Sequence, residues 1–282
     1  MKFSIITVAL NPGEKLRETL DSVFCQTCTD YEIIIKDGGS TDGSTDRWRD
    51  AARVRFFEEP DRGIYDAMNQ AAGYAEGDFL LFLNCGDVLA DKTVLERVAA
   101  VIDGESDSEN RGNPQGGRAA AEGSGERLVV YGDTVGRRTN AVIASSPRIT
   151  GFTCYRNIPC HQSCFYSADL CREKPYDLQY KIRADYDHFL WCYYRAGARF
   201  LHLDFPVSAY EGGGYSESRE NAERDRCEHR RIAKEYMTGG ELFRYRAVMA
   251  LTLAPLRRKM AESKVFSGVY HWVKRVMYKS PS

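Results

Sequence analysis

This sequence lacks three features that would assign it to a special class of protein. It has no apolar run of the roughly 20 residues that cross a bilayer. Its 39 Lys and Arg residues balance 40 Asp and Glu residues, so the formal net charge is −1 and indicates no nucleic-acid partner. It has no signal-peptide pattern, because Met-Lys-Phe-Ser-Ile-Ile runs directly into a strand pattern. We therefore expect a globular, cytoplasmic protein.

Disulfides and metal-binding cysteine pairs are also not expected. The nine cysteines favour reduced and mostly buried thiols in a chain of this kind. Cys25 and Cys28 have redox spacing, but they end a predicted helix, whereas a reactive thiolate prefers a helix start. Cys160 and Cys164 have no second pair at the spacing of a zinc finger or ribbon.

Two segments differ in composition from the rest of the chain. Residues 103–127 are rich in Gly, Ser, Glu and Arg without apolar periodicity, which predicts a flexible insertion. Residues 241–282 carry nine Lys or Arg against two Glu, interspersed with Trp, Phe and Leu. This basic tail is typical of an amphipathic segment at a membrane surface. A helix packed on the body with a solvated basic face explains it equally well.

Strand and helix patterns alternate four times in the first hundred residues, which predicts an α/β fold with a mostly parallel sheet. The predicted strands are Phe3–Leu10, Tyr31–Ile35, Val54–Phe57 and Phe79–Leu83. Each strand is followed by a polar residue or a short polar turn, and the four residues are Asn11, Asp37, Asp61 and Asp87. Because parallel strands end at one edge of a sheet, we expect a ligand site there.

The second half of the chain is less regular. Strand patterns resume at Leu128–Tyr131, Ala141–Ala144 and Arg199–Leu203. The segment Thr153–Tyr166 is aromatic and irregular, and a helix opens at Ala184-Asp-Tyr-Asp. A glycine-rich loop, Tyr210 to Ser216, and a charged helix follow.

Together these segments resemble family 2 glycosyltransferases of the GT-A fold, most closely the bacterial branch that builds surface polysaccharides. The resemblance covers about residues 1–216 and depends on the order and spacing of several short motifs. These motifs are Asp37 with Ser-Thr-Asp42-Gly-Ser, the segment Asp61-Arg-Gly-Ile-Tyr-Asp66-Ala-Met-Asn69, and Leu83-Asn-Cys-Gly-Asp87.

The resemblance implies a nucleotide-binding, mostly parallel doubly wound sheet merged with a smaller acceptor-binding half. On this basis residues 1–102 bind the nucleotide sugar, and residues 128–240 bind the acceptor and carry catalysis. The implied reaction is inverting transfer of a hexosyl or N-acetylhexosaminyl group from a nucleotide diphosphate sugar, such as a UDP-sugar, to a glycan or lipid-linked acceptor. It implies a Mn2+ or Mg2+ cofactor, a role in cell-surface polysaccharide synthesis, and a peripheral location at the cytoplasmic face of the inner membrane.

The resemblance also implies roles for individual residues. Asp185 takes the place of the catalytic base, and Asp87 that of the metal-binding aspartate. The residues implied near the nucleotide are Thr7, Asn11, Asp37, Asp66, Asn69 and Asn84. Gly213, Gly214 and Ser216 resemble a loop that closes over the substrates. His161 and Asp187 are weaker candidates at the acceptor, and we expect Asp187, the competing base, to be the more solvated of the two aspartates.

Two departures from the family pattern keep other interpretations open. Where many relatives have Asp-x-Asp-Asp, this chain has Asn84-Cys-Gly-Asp87, and Ala184 replaces the usual Glu. The single carboxylate leaves a non-catalytic nucleotide-sugar-binding partner as the alternative function. A sugar nucleotidyltransferase is a third interpretation, for which Asn11-Pro-Gly-Glu-Lys15 is a poor triphosphate loop. On residue type alone, Asp185 also suits a helix start, and His161 suits an aromatic wall.

Overall fold

The computed structural model describes residues 2–109, 127–212 and 221–251. The predicted loop residues Gly213, Gly214 and Ser216 lie outside the described residues, as do 110–126 of the predicted insertion and 252–282 of the predicted tail. The chain divides into two compact units, Met1–Ile232 and Ala233–Ser282, and the first contains the sheet and every candidate residue described below. Within the described ranges, no helix has both the length and the apolar character needed to cross a membrane.

The first four strands form a parallel sheet, as predicted. They are β1 (Phe3–Ala9), β2 (Tyr31–Asp37), β3 (Val54–Glu58) and β4 (Phe79–Phe82). Their order is β3-β2-β1-β4, with every pair parallel. All four residues of β4 are buried, because a central strand is covered on both faces and needs no polar alternation.

Helices alternate with these strands along the chain and continue into its second half. They are α1 (Glu14–Phe24), α2 (Ile64–Tyr74), α3 (Val94–Glu109), α4 (Gly151–Arg156), α5 (Ala168–Glu173), α6 (Ala184–Tyr194), α7 (Ala222–Tyr236) and α8 (Gly239–Leu251). In α1 the residues at helical spacing, Leu16, Leu20 and Val23, are buried and belong to the same core as Ile5 and Ile33. This is the amphipathic packing that the sequence predicts. Helix α3 continues to Glu109 and so extends into the first residues of the predicted insertion, 103–127.

The second half of the chain makes the sheet mixed rather than parallel throughout. The remaining strands are β5 (Val88–Leu89), which still belongs to the first half, and β6 (Leu128–Gly136), β7 (Ala141–Ile143), β8 (Cys164–Ser167) and β9 (Arg199–Tyr210). The full order is β3-β2-β1-β4-β8-β6-β9-β5, with β7 on β6. Strand β8 pairs antiparallel with both β4 and β6, whereas β6 and β9 are parallel. The predicted α/β fold is confirmed.

The antiparallel pairing of β4 with β8 creates the centre of the candidate site. Leu81 pairs with Phe165, so the chain leaving β4 meets the chain that enters β8. A 3₁₀ turn, His161–Ser163, immediately precedes β8. The polar turn after β4 therefore lies beside His161, although 77 residues separate Asn84 from His161.

Candidate active site

The loops after β1 and β2 are tied together by their own polar side chains. Asp37 is fully buried, and its carboxylate accepts hydrogen bonds from the backbone N–H of Ser40 (3.0 Å) and from Ser40 Oγ (2.5 Å). Ser40 Oγ in turn accepts from the backbone N–H of Asn11 (2.8 Å), and Asn11 Oδ1 accepts from the backbone N–H of Thr41 (2.8 Å). We call Asn11, Asp37, Ser40 and Thr41 the loop cluster. Its hydrogen bonds fix the glycine-containing turn after β2.

Two further residues that the resemblance places near the nucleotide, Thr7 and Asp66, also have protein partners. Thr7 is buried and donates its hydroxyl hydrogen to the carbonyl of Leu83 (2.9 Å), which links β1 to the end of β4. Asp66 accepts from the backbone N–H of Arg62 (2.9 Å) and from its guanidinium group (3.2 Å), and this pairing holds the pKa of Asp66 below its ordinary value. These contacts connect structural elements and leave few polar atoms for a ligand.

Asn69 joins α2 to the segment that precedes α6. Its amide nitrogen donates to the carbonyl of Tyr176 (2.8 Å), and its amide oxygen accepts from the backbone N–H of the same residue (2.8 Å). This pairing satisfies both backbone groups of Tyr176 across 107 residues of sequence. It therefore connects the two halves of the chain within the first unit.

His161 lies between the turn after β4 and the start of α6. Asn84 Nδ2 donates to His161 Nε2 (3.1 Å), and His161 Nδ1 is 3.7 Å from Asp185 Oδ2. In this arrangement Nε2 accepts, so the imidazole hydrogen is on Nδ1 and faces Asp185. Asn84 Oδ1 is buried and has no hydrogen-bond partner among residues 2–109, 127–212 and 221–251. Rotation of this amide would bring Oδ1 to Nε2, so the pair can also hold a protonated imidazolium.

Asp185 is held as an anion by the groups around it. Burial alone would raise its pKa, but the hydrogen bond and charge of His161, with the charge of Arg183, lower the pKa below its ordinary value. The Tyr65 hydroxyl lies 3.0 Å from Asp185 Oδ1 and 2.7 Å from the carbonyl of Ile182. The side chain of Asp185 remains 23% exposed, so an ionised carboxylate can reach a substrate.

Asp87 is a second acidic group beside His161. Burial lowers the pKa of His161, but the carboxylates of Asp185 and Asp87 oppose that effect, so its pKa lies above the ordinary value. Asp87 is only 7% exposed, and burial raises its pKa. Among the described residues its carboxylate accepts one hydrogen bond, from the backbone N–H of Glu211 at 3.3 Å. We call Asn84, Asp87, His161 and Asp185 the central cluster.

The carboxylate of Asp87 is suited to bind a divalent cation, because the protein gives it only one long hydrogen bond among the described residues. Oxygen ligands suit Mg2+ and Mn2+, and Mg2+ typically takes one or two carboxylates while water and substrate phosphates complete its shell. Within the described ranges no three His, Cys, Asp or Glu residues gather as a metal site. The chain would therefore supply few of the ligands.

Several charged side chains lie around Gly86 and Asp87 that the sequence analysis did not assign to the site. Glu211 follows β9 and pairs with Lys15 (2.7 Å). Arg137 donates to the carbonyl of Gly86 (2.7 Å) and pairs with Glu18 (2.8 Å). Gly86 has φ +96°, and a Cβ there would lie 2.7 Å from a carboxylate oxygen of Glu211. Only the position of Glu211 in the predicted glycine-rich loop, directly before three glycines, could have drawn attention to it.

The expectation for Asp187 is wrong. Its side chain is 2% exposed, against 23% for Asp185, and it pairs with Lys174 Nζ at 2.8 Å. On helix α6 these two residues lie about 200° apart, since each residue turns the helix by about 100°. Asp187 consequently faces the protein interior, and Asp185 faces His161 and Tyr65.

The sequence model of Glycosyl transferase family 2 matches residues 4–110. The chain is 35% identical over 221 residues to a PGL/p-HBAD biosynthesis glycosyltransferase of Mycobacterium tuberculosis, covering 76% of this chain and 78% of that relative. It is 30% identical over 192 residues to an uncharacterized glycosyltransferase of the same species, covering 66% and 67% respectively.

Solved structures share the fold. Staphylococcus aureus TarS in complex with UDP superposes with a TM-score of 0.60 at 21% identity, covering 83% of this chain and 64% of the TarS chain. This chain therefore spans less than two thirds of that protein. Mannosyltransferase PcManGT from Pyrobaculum calidifontis, in complex with GDP-Man and Mn2+, gives a TM-score of 0.60 at 14% identity, covering 99% and 88%.

Proposed function

This chain belongs to glycosyltransferase family 2 and is a glycosyltransferase with the GT-A fold, and we propose that it transfers a sugar, with inversion, from a UDP-sugar to a glycan or lipid-linked acceptor. The observation that carries the proposal is the pair of carboxylates, Asp185 and Asp87, that both raise the pKa of His161. Asp185 is ionised and partly exposed, whereas Asp87 is desolvated and short of partners. One base and one cation ligand are the acidic groups that such a displacement needs.

Asp185 is the proposed general base. An acceptor hydroxyl is a weak nucleophile, and a positioned carboxylate that removes its proton contributes on the order of 10²–10⁴ in rate. His161 and Tyr65 contact the two oxygens of this carboxylate from opposite sides, so they fix its direction. A single base that deprotonates the acceptor opposite the leaving group gives inversion at the anomeric carbon.

Asp87 is the proposed ligand for Mn2+ or Mg2+, which would neutralise charge on the leaving diphosphate. Asn84 is proposed beside the nucleotide, because its buried Oδ1 lacks a partner. For the loop cluster and for Thr7, Asp66 and Asn69, we propose that they shape the nucleotide-binding edge. Their hydrogen bonds to the protein support this role, and contact with the nucleotide through their remaining atoms stays a proposal. Residues 1–102 and 128–240 are the proposed nucleotide and acceptor halves.

The proposal is tested by incubating the protein with a panel of UDP-sugars and Mn2+ and by measuring the release of UDP. We expect turnover in the wild type and a loss of about 10²–10⁴ in kcat for Asp185→Asn, with UDP binding retained. Asp21→Asn, at an exposed site on α1, is the matched control. If Asp185→Asn keeps most of the wild-type activity, the assignment of the base is wrong.

A non-catalytic nucleotide-sugar-binding partner is the second candidate, and the lone carboxylate in the turn after β4 favours it. Calorimetry separates the two proposals. An enzyme that uses Asp87 as described binds UDP more tightly with Mn2+. UDP binding that is independent of Mn2+, together with no hydrolysis or transfer, supports the non-catalytic role.

A role in cell-surface polysaccharide synthesis and attachment to the cytoplasmic membrane face are also proposals. The name of the mycobacterial relative, which places that protein in PGL/p-HBAD biosynthesis, supports an envelope acceptor. The basic composition of residues 241–282 supports binding to anionic lipid. Removal of these residues is expected to weaken sedimentation with anionic liposomes while UDP binding is retained, and equal sedimentation favours a packed helix.

A further inference from the structure

The helix that carries Asp185 begins without a cap of its own. Helix α6 starts at Ala184, and its N-cap residue, Arg183, provides no side-chain hydrogen bond to the first turn. The first N–H groups of a helix and those of the turn before it need acceptors from elsewhere. Asp185 is the second residue of the helix, so whatever fixes this turn also fixes the carboxylate.

Glu228 on α7 supplies the acceptors for the turn before α6. Its Oε1 accepts from the backbone N–H of Lys181 (3.0 Å), and its Oε2 accepts from those of Ile182 (2.9 Å) and Arg183 (2.9 Å). Glu228 is buried, and its charge is satisfied by three consecutive amides. Hydrogen bonds to an ionised acceptor are roughly twice as strong as neutral ones.

A second carboxylate on α7 reinforces the same turn. Asp225 accepts two hydrogen bonds from the guanidinium group of Arg183, at 2.6 and 3.0 Å. Asp225 and Glu228 are three residues apart, and this spacing puts both on one face of a helix. Helix α7 therefore holds residues 181–183 by their backbone and by the side chain of Arg183.

The contact continues from Glu228 to the base. Glu228 binds the N–H of Ile182, and the carbonyl of Ile182 accepts from the Tyr65 hydroxyl, which also lies 3.0 Å from Asp185 Oδ1. The turn before α6 is thus held by α7 on one side and by α2 on the other. A shift of about 1 Å at a reacting group can cost roughly 10²-fold in rate.

We propose that Glu228 is a positioning residue for catalysis: its carboxylate holds the backbone of residues 181–183 and thereby places Asp185 against the acceptor hydroxyl. Asp225 assists through Arg183. This inference depends on the proposed transferase function and on Asp185 as its base. Glu228 contacts no reacting atom itself, so its effect passes entirely through the position of Asp185.

The test compares Glu228→Gln with Glu223→Gln, which removes the same charge from an exposed position on the same helix. We expect Glu228→Gln to lower kcat by at least about tenfold, because the glutamine amide has only one oxygen to accept from three N–H groups. We expect KM for the donor to change less than twofold. Hydrogen exchange at the amides of residues 181–183 should accelerate in this variant. The Glu223→Gln variant should match the wild type.

A double variant separates positioning from a general structural role. If Glu228 acts through Asp185, Glu228→Gln lowers residual activity no further when Asp185→Asn is already present, since residues that act as a unit are not additive. If Glu228→Gln does not fold, Asp225→Asn replaces it, with a smaller expected loss. The inference is overturned if the wild type is active and Glu228→Gln has the same kcat. It is also overturned if the two losses are additive in the double variant. A wild type that transfers no sugar contradicts the proposed function instead.

Discussion

The loop cluster and the central cluster contain similar polar residues at the same edge of the sheet, but they differ in how these residues are satisfied. In the loop cluster, Asp37 and Asn11 accept hydrogen bonds of 2.5–3.0 Å from groups three or thirty residues away. In the central cluster, the part of the chain that the structure describes gives the carboxylate of Asp87 one hydrogen bond of 3.3 Å and gives Asn84 Oδ1 none.

This difference separates a scaffold from a reactive site. The backbone N–H groups of a glycine-containing turn need hydrogen-bond acceptors, and the side-chain oxygens of the loop cluster provide them. A buried carboxylate or amide without partners costs free energy, and such a cost is typical of groups whose partner is a ligand. We infer that substitutions in the loop cluster will mainly lower stability, whereas substitutions in the central cluster will mainly lower activity.

The largest effect is expected for Asp87→Asn. Activity should fall by about 10² or more, because the proposed cation would lose its carboxylate ligand. The metal-free protein should melt about 2 °C higher, because burial raises the pKa of Asp87 and thus disfavours its charged form in the folded state. Activity assays with and without Mn2+ and differential scanning calorimetry measure the two effects.

Asp78→Asn is the control for this comparison, since Asp78 directly precedes β4 and is exposed. Mn2+ stimulation that persists in Asp87→Asn would contradict the metal assignment. A melting temperature that falls instead would show that the carboxylate stabilises the fold, and the distinction between the two clusters would be lost at this residue.

An intermediate effect, on stability, is expected for Asn69→Ala. Loss of both hydrogen bonds to Tyr176 leaves a partly buried N–H and C=O without partners, which costs about 2 kcal/mol in the free energy of unfolding. Urea denaturation measures this value. A parallel UDP titration tests whether Asn69 also contacts the nucleotide: unchanged affinity assigns it to the scaffold alone, and weaker affinity assigns it to both.

The smallest effect is expected for His161→Gln, and it concerns pH dependence. His161 lowers the pKa of Asp185, so its removal should raise that pKa and move the acid limb of kcat to higher pH. At neutral pH the base stays ionised, and activity should change by less than about tenfold. A pH profile of kcat for the two proteins measures the shift. An acid limb that stays in place would mean that Asp185 is not the group that titrates.

Local pattern was enough to predict the early strands and helices. Strands β1, β2 and β4 follow apolar runs, and α1 follows the spacing of Leu16, Leu20 and Val23. Strand β8 escaped prediction because its Cys-Phe-Tyr-Ser sequence is neither a continuous apolar run like that of β4 nor an alternating pattern, and it lies within an irregular aromatic segment. Two-sided burial is decided by β4 and β6, which are distant in sequence.

The candidate site divides in the same way. The resemblance indicates Asp87 and Asp185 from the order of the motifs, and it indicates His161 only as a weaker candidate. It does not indicate that Asp187 is buried against Lys174, nor that Glu228 holds the turn before Asp185. Each of these facts is a pairing between separate elements, and residue type alone does not reveal whether a carboxylate has a partner.

By itself, the sequence determined that the chain forms an α/β fold of the glycosyltransferase type, with polar residues at the ends of its first strands. Periodicity and turn chemistry act over a few residues, so they can be found without coordinates. Only the tertiary structure decided which polar groups are satisfied by the protein and which are left for a substrate. That outcome depends on distances between residues such as Asn84 and His161, which only the antiparallel pairing of β4 with β8 brings together.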